Sequence, residues 1–152
     1  NSDQYSVAHP ALSPDEKYLY FASNMGGSLG SSDIFRVQIL DGNKYGKPEN
    51  LGNVINSAGR ESFPFISKNN VMYYSSDGFP GLGGLDIFAV KLDEEGNPIT
   101  KPINIGRPGN SADDDFCFII KPLYQHTIFR FILFTTPFHS VSLNNRKPAN
   151  RK

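Results

Sequence analysis

The chain is written twice. Lys47-Pro48-Glu49-Asn50-Leu51-Gly52 through Asn56-Ser57-Ala58 returns as Lys101-Pro102-Ile103-Asn104-Ile105-Gly106 through Asn110-Ser111-Ala112, a step of 54 residues that keeps seven of twelve positions. Upstream, Leu19-Tyr20-Phe21-Ala22-Ser23 returns as Met72-Tyr73-Tyr74-Ser75-Ser76, and Leu29-Gly30 with Asp33-Ile34-Phe35 returns as Leu82-Gly83 with Asp86-Ile87-Phe88, at a step of 53. One residue is therefore lost inside the period, and its natural place is the turn where Ser13-Pro14-Asp15-Glu16-Lys17 faces Ser67-Lys68-Asn69-Asn70. A fixed period in this range, built of short apolar runs divided by turn residues, marks a propeller, a solenoid or an array.

Each unit reads as four strands. Pro10-Ala11-Leu12-Ser13 is a short first strand, and Ser13-Pro14-Asp15-Glu16 is a turn with Pro where its fixed φ is favourable. Tyr18–Ser23 is a second strand that is apolar on both faces, as is Val71-Met72-Tyr73-Tyr74, the pattern of a sheet covered from both sides. A Gly-rich loop leads to a third, alternating strand at Asp33–Ile39 and again at Asp86–Leu92. Asp41-Gly42-Asn43 and Glu95-Gly96-Asn97-Pro98 close hairpins. A fourth strand falls around Pro48–Gly52 and Pro102–Gly106, at an edge where Pro is tolerated. Within this frame Pro10, Ser13, Asp33, Pro64, Ser67 and Asp86 are repeat positions with structural roles. The fold class expected is all-β: a partial β-propeller of about two four-stranded antiparallel blades plus the start of a third, divided as 1–60, 61–112 and 113–120.

Charge and glycine content separate the remaining 32 residues from this frame. Residues 1–120 carry a net charge of −6 and hold all fourteen glycines, whereas residues 121–152 carry +6 and contain no Gly, Asp or Glu. The tail reads as foreign sequence, a shifted reading frame or a divergent terminus, with a frayed basic end in place of a nucleic-acid patch. The opening Asn1-Ser2-Asp3 matches Asn56-Ser57-Ala58, so the chain begins inside a repeat, and any signal peptide would lie upstream. The most apolar run, Ile128 to Phe138, is interrupted by Arg130 and Pro137 and falls short of the roughly 20 residues a membrane span needs; its pattern is compatible with an ordinary buried strand. The lone Cys117 permits no internal disulfide and is read as a buried apolar side chain.

Leu12-Ser13-Pro14-Asp15 followed by Leu19–Ser23, and Tyr74-Ser75-Ser76-Asp77-Gly78 running through Gly81-Leu82-Gly83-Gly84-Leu85-Asp86-Ile87-Phe88, resemble TolB-like, WD-repeat-like propeller repeats. The wording is most similar to that of OmpA-family envelope proteins of Bacteroidota-type bacteria. The resemblance covers roughly residues 1–120 and implies a periplasmic propeller, or one on the periplasmic face of the outer membrane, beside a peptidoglycan-binding domain. Some proteins of that kind serve type IX secretion and gliding. From residue 121 the sequence departs from the pattern, because the strand ending in aromatic-Ser-Ser-Asn and its Gly-rich loop are missing.

Reactive motifs are few. The Gly26-Gly27-Ser28-Leu29-Gly30 and Gly81-Leu82-Gly83-Gly84 loops lack the Lys-Ser/Thr pair of a phosphate loop and lead into strands, so their glycines supply turn geometry. Calcium is the alternative reading: Gly81–Asp86 half-resembles a calcium β-roll loop, and Asp86, Asp113, Asp114 and Asp115 offer the hard oxygen ligands calcium takes. Against it, the loops recur at 53 residues, far from the roll's short period, and Asp33 and Asp86 are expected to accept backbone amides of the neighbouring hairpin. His9, His126 and His139 have no metal-ligand spacing, and no Gly-x-Ser-x-Gly elbow is present. The expectation is a non-enzymatic binding or scaffold module that needs no cofactor, with Met25, Phe79 and Pro80 as loop anchors for a protein or glycan partner of the cell envelope. A propeller accessory to a peptidase or glycan hydrolase is the remaining alternative.

Overall fold

The structure, a computed structural model, describes residues 4–42, 44–122, 129–135 and 139–144, with side chains through Phe118. Among the described residues the fold is all-β, without a helix, and its pairing is antiparallel throughout the three sheets. The first sheet runs in the order β1 (Val7–Leu12), β2 (Tyr18–Ser23), β3 (Asp33–Leu40), β4 (Lys44–Tyr45), with β5 (Glu49–Asn50) also on β3. The second repeats it as β6 (Glu61–Ile66), β7 (Val71–Ser76), β8 (Asp86–Lys91) and β9 (Ile103–Asn104). The third contains β10 (Asp115–Pro122), β11 (Phe129–Thr135) and β12 (His139–Asn144).

The step of 54 followed by 53 is visible in the hydrogen bonds. Ser13 N–H donates to Tyr18 O and Tyr18 N–H returns to Ser13 Oγ; Ser67 N–H donates to Val71 O and Val71 N–H returns to Ser67 Oγ. The same serine thus closes a turn that is one residue shorter in the second copy, and Lys17 is the residue without a counterpart. In the longer turn Asp15 accepts Ser13 Oγ–H at 2.7 Å and pairs with Lys17, contacts that hold its carboxyl down at about 2.

Each first strand carries a bulge at the same place. The register breaks between Ala8 and Ala11, Ser62 and Phe65, and Phe116 and Ile119, and the residues at positive φ are His9 (54°), Phe63 (50°) and Cys117 (64°). Pro10 and Pro64 follow directly, where the interrupted ladder does not need their missing N–H. The bulge turns rings toward the neighbouring sheet: His9 stacks on Phe63 at 3.7 Å between centroids, and Phe63 lies 5.2 Å from Phe116.

Alternation along the central strands divides their side chains between two seams. Tyr20, Ala22 and Ile34 of the first sheet pack with Met72, Tyr74, Phe88 and Val90 of the second, closed by Ile55 from the connecting loop. One unit on, Tyr73 and Ile87 pack with Phe118 of β10. Full burial of such side chains stabilises by about 1.5–3 kcal/mol each, so these seams dominate the stability of the fold. The opposite face of the first sheet gathers Phe21, Phe35 and Val37 with Leu19 and Met25.

Two outcomes differ in detail from the sequence reading. The fourth strands shrink to two residues each, and the first unit gains β4 beyond its Asp41-Gly42 turn where the second has only the isolated bridge Leu92–Pro98. The divergent tail supplies β11, within the apolar Ile128–Phe138 run, and β12, both in one sheet with β10; residues 123–128, 136–138 and 145–152, including His126 and nearly all of the basic end expected to fray, lie outside the described residues.

Glu16 and Asn70 occupy the same turn position at φ 58° and 55°. Asn adopts this left-handed conformation at lower cost than Glu does. Glu16→Asn is therefore expected to raise stability by about 0.5–1 kcal/mol in urea melts, while Asn70→Glu lowers it by a similar amount.

Candidate functional site

The residues that repeat most faithfully converge at the loop ends of the seams. Asp33 is fully buried at the start of β3 and accepts Leu29 N–H at 2.8 Å, Gly30 N–H at 3.1 Å and an Asn50 side-chain N–H at 2.6 Å. Asp86 repeats the arrangement with Leu82 N–H at 2.6 Å and Gly83 N–H at 3.1 Å. The backbone donors belong to the Gly-rich loop of the same unit, not to the neighbouring hairpin expected from the sequence, and the Asn50 amide reaches Asp33 from β5. The reason is local: the loop curls back within four residues, close enough for one carboxylate to collect its amides. In the second unit Asp86 Oδ1 and Asn104 Nδ2 are both buried without a partner, so the direct bond between Asp33 and Asn50 is not reproduced there.

Asn56 and Asn110 were given no individual role by the sequence, yet each acts as a one-residue strand. Asn56 accepts Ile34 N–H at 2.8 Å and donates to Ile34 O at 3.0 Å, and its amide also donates to Asn50 Oδ1 at 2.9 Å. Asn110 makes the same three bonds with Ile87 and Asn104 at 2.9, 3.0 and 2.7 Å. Both are at least 98 % buried, and each satisfies a backbone edge that the short outer strand leaves open. The signal for them was the repeated Asn-Ser-Ala itself.

Successive sheets are stitched by backbone. Glu61 N–H donates to Ser32 O at 2.8 Å, and one unit on Asp115 N–H donates to Leu85 O at 2.6 Å. Ser31 N–H reaches Gly59 O at 2.7 Å, and Leu85 N–H reaches Asp114 Oδ1 at 2.8 Å. The loops approach so closely that a Cβ on Gly30 would lie 2.2 Å from Gly59 O, and one on Gly83 2.2 Å from Asp113 O. Beside the stitch the fully buried Glu61 carboxylate accepts Ser57 N–H (2.9 Å), Ser57 Oγ–H (2.5 Å) and Ser76 Oγ–H (2.6 Å). Asp115 accepts the N–H and hydroxyl of Ser111 in the same way. At the far end of the first seam Arg36 bonds Glu49, Glu95 O and Asn97 Oδ1 while lying over the Tyr18 ring, which ties β3 to the second unit's hairpin.

The structure separates the four acids of the calcium reading. Asp114 is engaged with Leu85 N–H, Asp115 with Ser111, and Asp113 is exposed; among the described residues no three His, Cys, Asp or Glu side chains form a metal-holding group. Among the loop anchors, Met25 packs on the Phe21 cluster and Phe79 packs 5.4 Å from Phe88, so both are half-buried, while Pro80 is exposed. In the Gly-rich loops themselves the large apolar side chains open to solvent are instead Leu29 and Leu82, at the same position one unit apart and 53 % and 47 % exposed. Cys117 is half-buried at its bulge, and burial pushes its thiol up, away from thiolate chemistry.

No known protein family matches this chain, and no curated protein matches it. Among the described residues no helix is long and apolar enough to cross a membrane.

Proposed function

We propose that the chain is a segment of a β-propeller that serves as a non-catalytic binding scaffold in a bacterial cell envelope, of the TolB-like kind found in OmpA-family proteins, and that it acts in the periplasm. The observation that carries this reading is the recurrence of the stitch: β6 sits against the first sheet through the same backbone bond, buried acid and ring contact between first-strand bulges with which β10 sits against the second. A contact that reproduces itself one unit on generates an array, and an array of antiparallel sheets with inner first strands is the plan of a propeller. A non-catalytic role is supported by where the polar side chains go. Asp33, Asn56, Glu61, Asp86, Asn110 and Asp115 are buried and bonded to backbone amides or serines.

The partner surface in this reading is the Gly-rich loop end, where Leu29, Leu82 and Pro80 offer repeated apolar contacts to a protein or to the glycan and stem peptides of peptidoglycan. Cosedimentation with purified peptidoglycan sacculi tests it. The chain is expected to pellet with sacculi, to release no soluble fragments, and to lose most of its binding in the Leu29→Ser/Leu82→Ser variant at unchanged melting temperature. A chain that stays in the supernatant, or one that solubilises the sacculi, contradicts the proposal.

A further inference from the structure

We propose that the seam between the first two sheets is a proton-operated clasp, in which Glu61, a fully enclosed carboxylate at the start of β6 with the buried Asp33 of β3 near it and, among the described residues, no cation paired with either, tightens the seam when it takes up a proton and loosens it when the proton leaves. The inference rests on the seam alone and is independent of what the chain binds. Both side chains are fully buried. Every donor to them is neutral: Ser57 N–H, Ser57 Oγ and Ser76 Oγ for Glu61, and Leu29 N–H, Gly30 N–H and the Asn50 amide for Asp33. A carboxylate enclosed without a counter-charge is poorly solvated and is repelled by the Asp33 charge in a medium that screens weakly, and a proton on Glu61 removes both penalties.

The other charged and titratable side chains on the elements packed around Glu61 do not supply the missing cation. In β1, His9 is stacked on Phe63, and burial lowers its imidazole, which favours the neutral form. In β3, Arg36 is committed to Glu49 and the distant hairpin; Tyr18 and Tyr20 of β2 lie near that same end. In β7, Tyr73 and Tyr74 are held protonated by burial. In β10, Asp115 is another buried acid and Cys117 a neutral thiol. The neighbouring Arg60 is half exposed and paired with Asp77 at 3.4 Å.

The linkage has a definite sign. Burial raises the Glu61 carboxyl above its ordinary 4.5, the bonds from Ser57 and Ser76 pull it part of the way back, and the Asp33 charge adds to the rise. A raised acid stabilises fully below its unfolded value, and that stability is lost as pH climbs through the folded value. Each pH unit of separation changes the folding equilibrium about tenfold. Asp115 is raised by burial and acts in the same direction at the next seam. His9, lowered from 6.5, acts in the opposite direction in mildly acidic solution, so the informative quantity is a difference between variants.

Urea unfolding of the full chain and of Glu61→Gln, followed between about pH 5 and about pH 8, reads the clasp out. The amide of Gln keeps the size and the serine contacts but cannot ionise. The two stability curves are expected to cross: the wild-type chain is at least as stable at the acid end and about tenfold or more less favourably folded than the variant at the alkaline end. Parallel curves, as a merely structural glutamate would give, overturn the proposal. Should Glu61→Gln not fold, carbon-13 titration of the Glu61 carboxyl in the wild-type chain decides the matter. A midpoint above the ordinary value supports the clasp, and one at or below it refutes the clasp.

Discussion

Asn56→Asp is expected to destabilise the chain by about 3–5 kcal/mol at neutral pH, although it exchanges one NH2 for one oxygen. The Asn56 amide donates to Ile34 O and to Asn50 Oδ1, so a carboxylate there directs charge at two acceptors in a site that is 99 % buried. The penalty falls on acidification, because a carboxyl held in such a place is raised, and its protonated form can donate one of the lost bonds. Asn56→Ala, which opens a small cavity, leaves Ile34 N–H without a partner and leaves Ile34 O with only the Leu51 N–H, is expected to cost about 2–3 kcal/mol with little pH dependence. Urea melts near neutral pH and in mild acid distinguish the two variants. A neutral-pH stability of Asn56→Asp equal to wild type contradicts the role given to this side chain.

Gly30→Ala and Gly83→Ala are expected to be the most disruptive single methyl additions, at about 3 kcal/mol each. In both cases the new Cβ meets, at 2.2 Å, backbone of the loop that leads into the next sheet, and backbone cannot swing aside as a side-chain tip does. Relief requires the loops to part, and for Gly30 that stretches the Ser31 N–H bond to Gly59 O. The internal control is Gly26→Ala in the same loop, where a Cβ meets nothing within 4 Å and the effect stays within about 0.5 kcal/mol. Thermal melts of the three variants, with Gly26→Ala near wild type and the other two several degrees lower, are the expected pattern.

Much of the fold was legible in the sequence because periodicity acts at the level of whole strands. Tyr18–Ser23 was read with its observed bounds, and Asp33–Ile39 to within a residue, since their apolar pattern and flanking turn residues leave no other register. The deleted turn residue was legible for the same reason: Ser13 and Ser67 make the same pair of bonds across turns of different length. The fourth strands were placed but overestimated, because Pro48 and Pro102 signal an edge without saying how few residues it pairs.

The seams were less legible, and the reasons are physical. That Asp33 collects amides from its own loop, and that Asn56 completes the edge of a strand 22 residues away, depends on backbone groups whose direction no residue type reveals. The ring ladder from His9 to Phe63 and Phe116 depends on bulges at positive φ in residues that rarely adopt it. Met25 and Phe79 were attractive as exposed anchors because loops display side chains, but both fold back onto the core, and the leucines beside the glycines remain outside. Of the strands beyond Pro122, β11 falls inside the apolar Ile128–Phe138 run, whereas β12 was concealed by a change of composition, since charge and glycine content describe loops and surfaces better than they describe a strand ladder.

The most direct measurement is of proton–proton contacts across the seams by nuclear Overhauser spectroscopy on the intact chain. Contacts are predicted between the His9 and Phe63 rings, 3.7 Å apart at their centroids, and between the Tyr73 and Phe118 rings, 4.3 Å apart, although each pair belongs to two different sheets. A spectrum in which strand-to-strand contacts within each sheet are present while both of these ring pairs are silent would contradict the repeated seam.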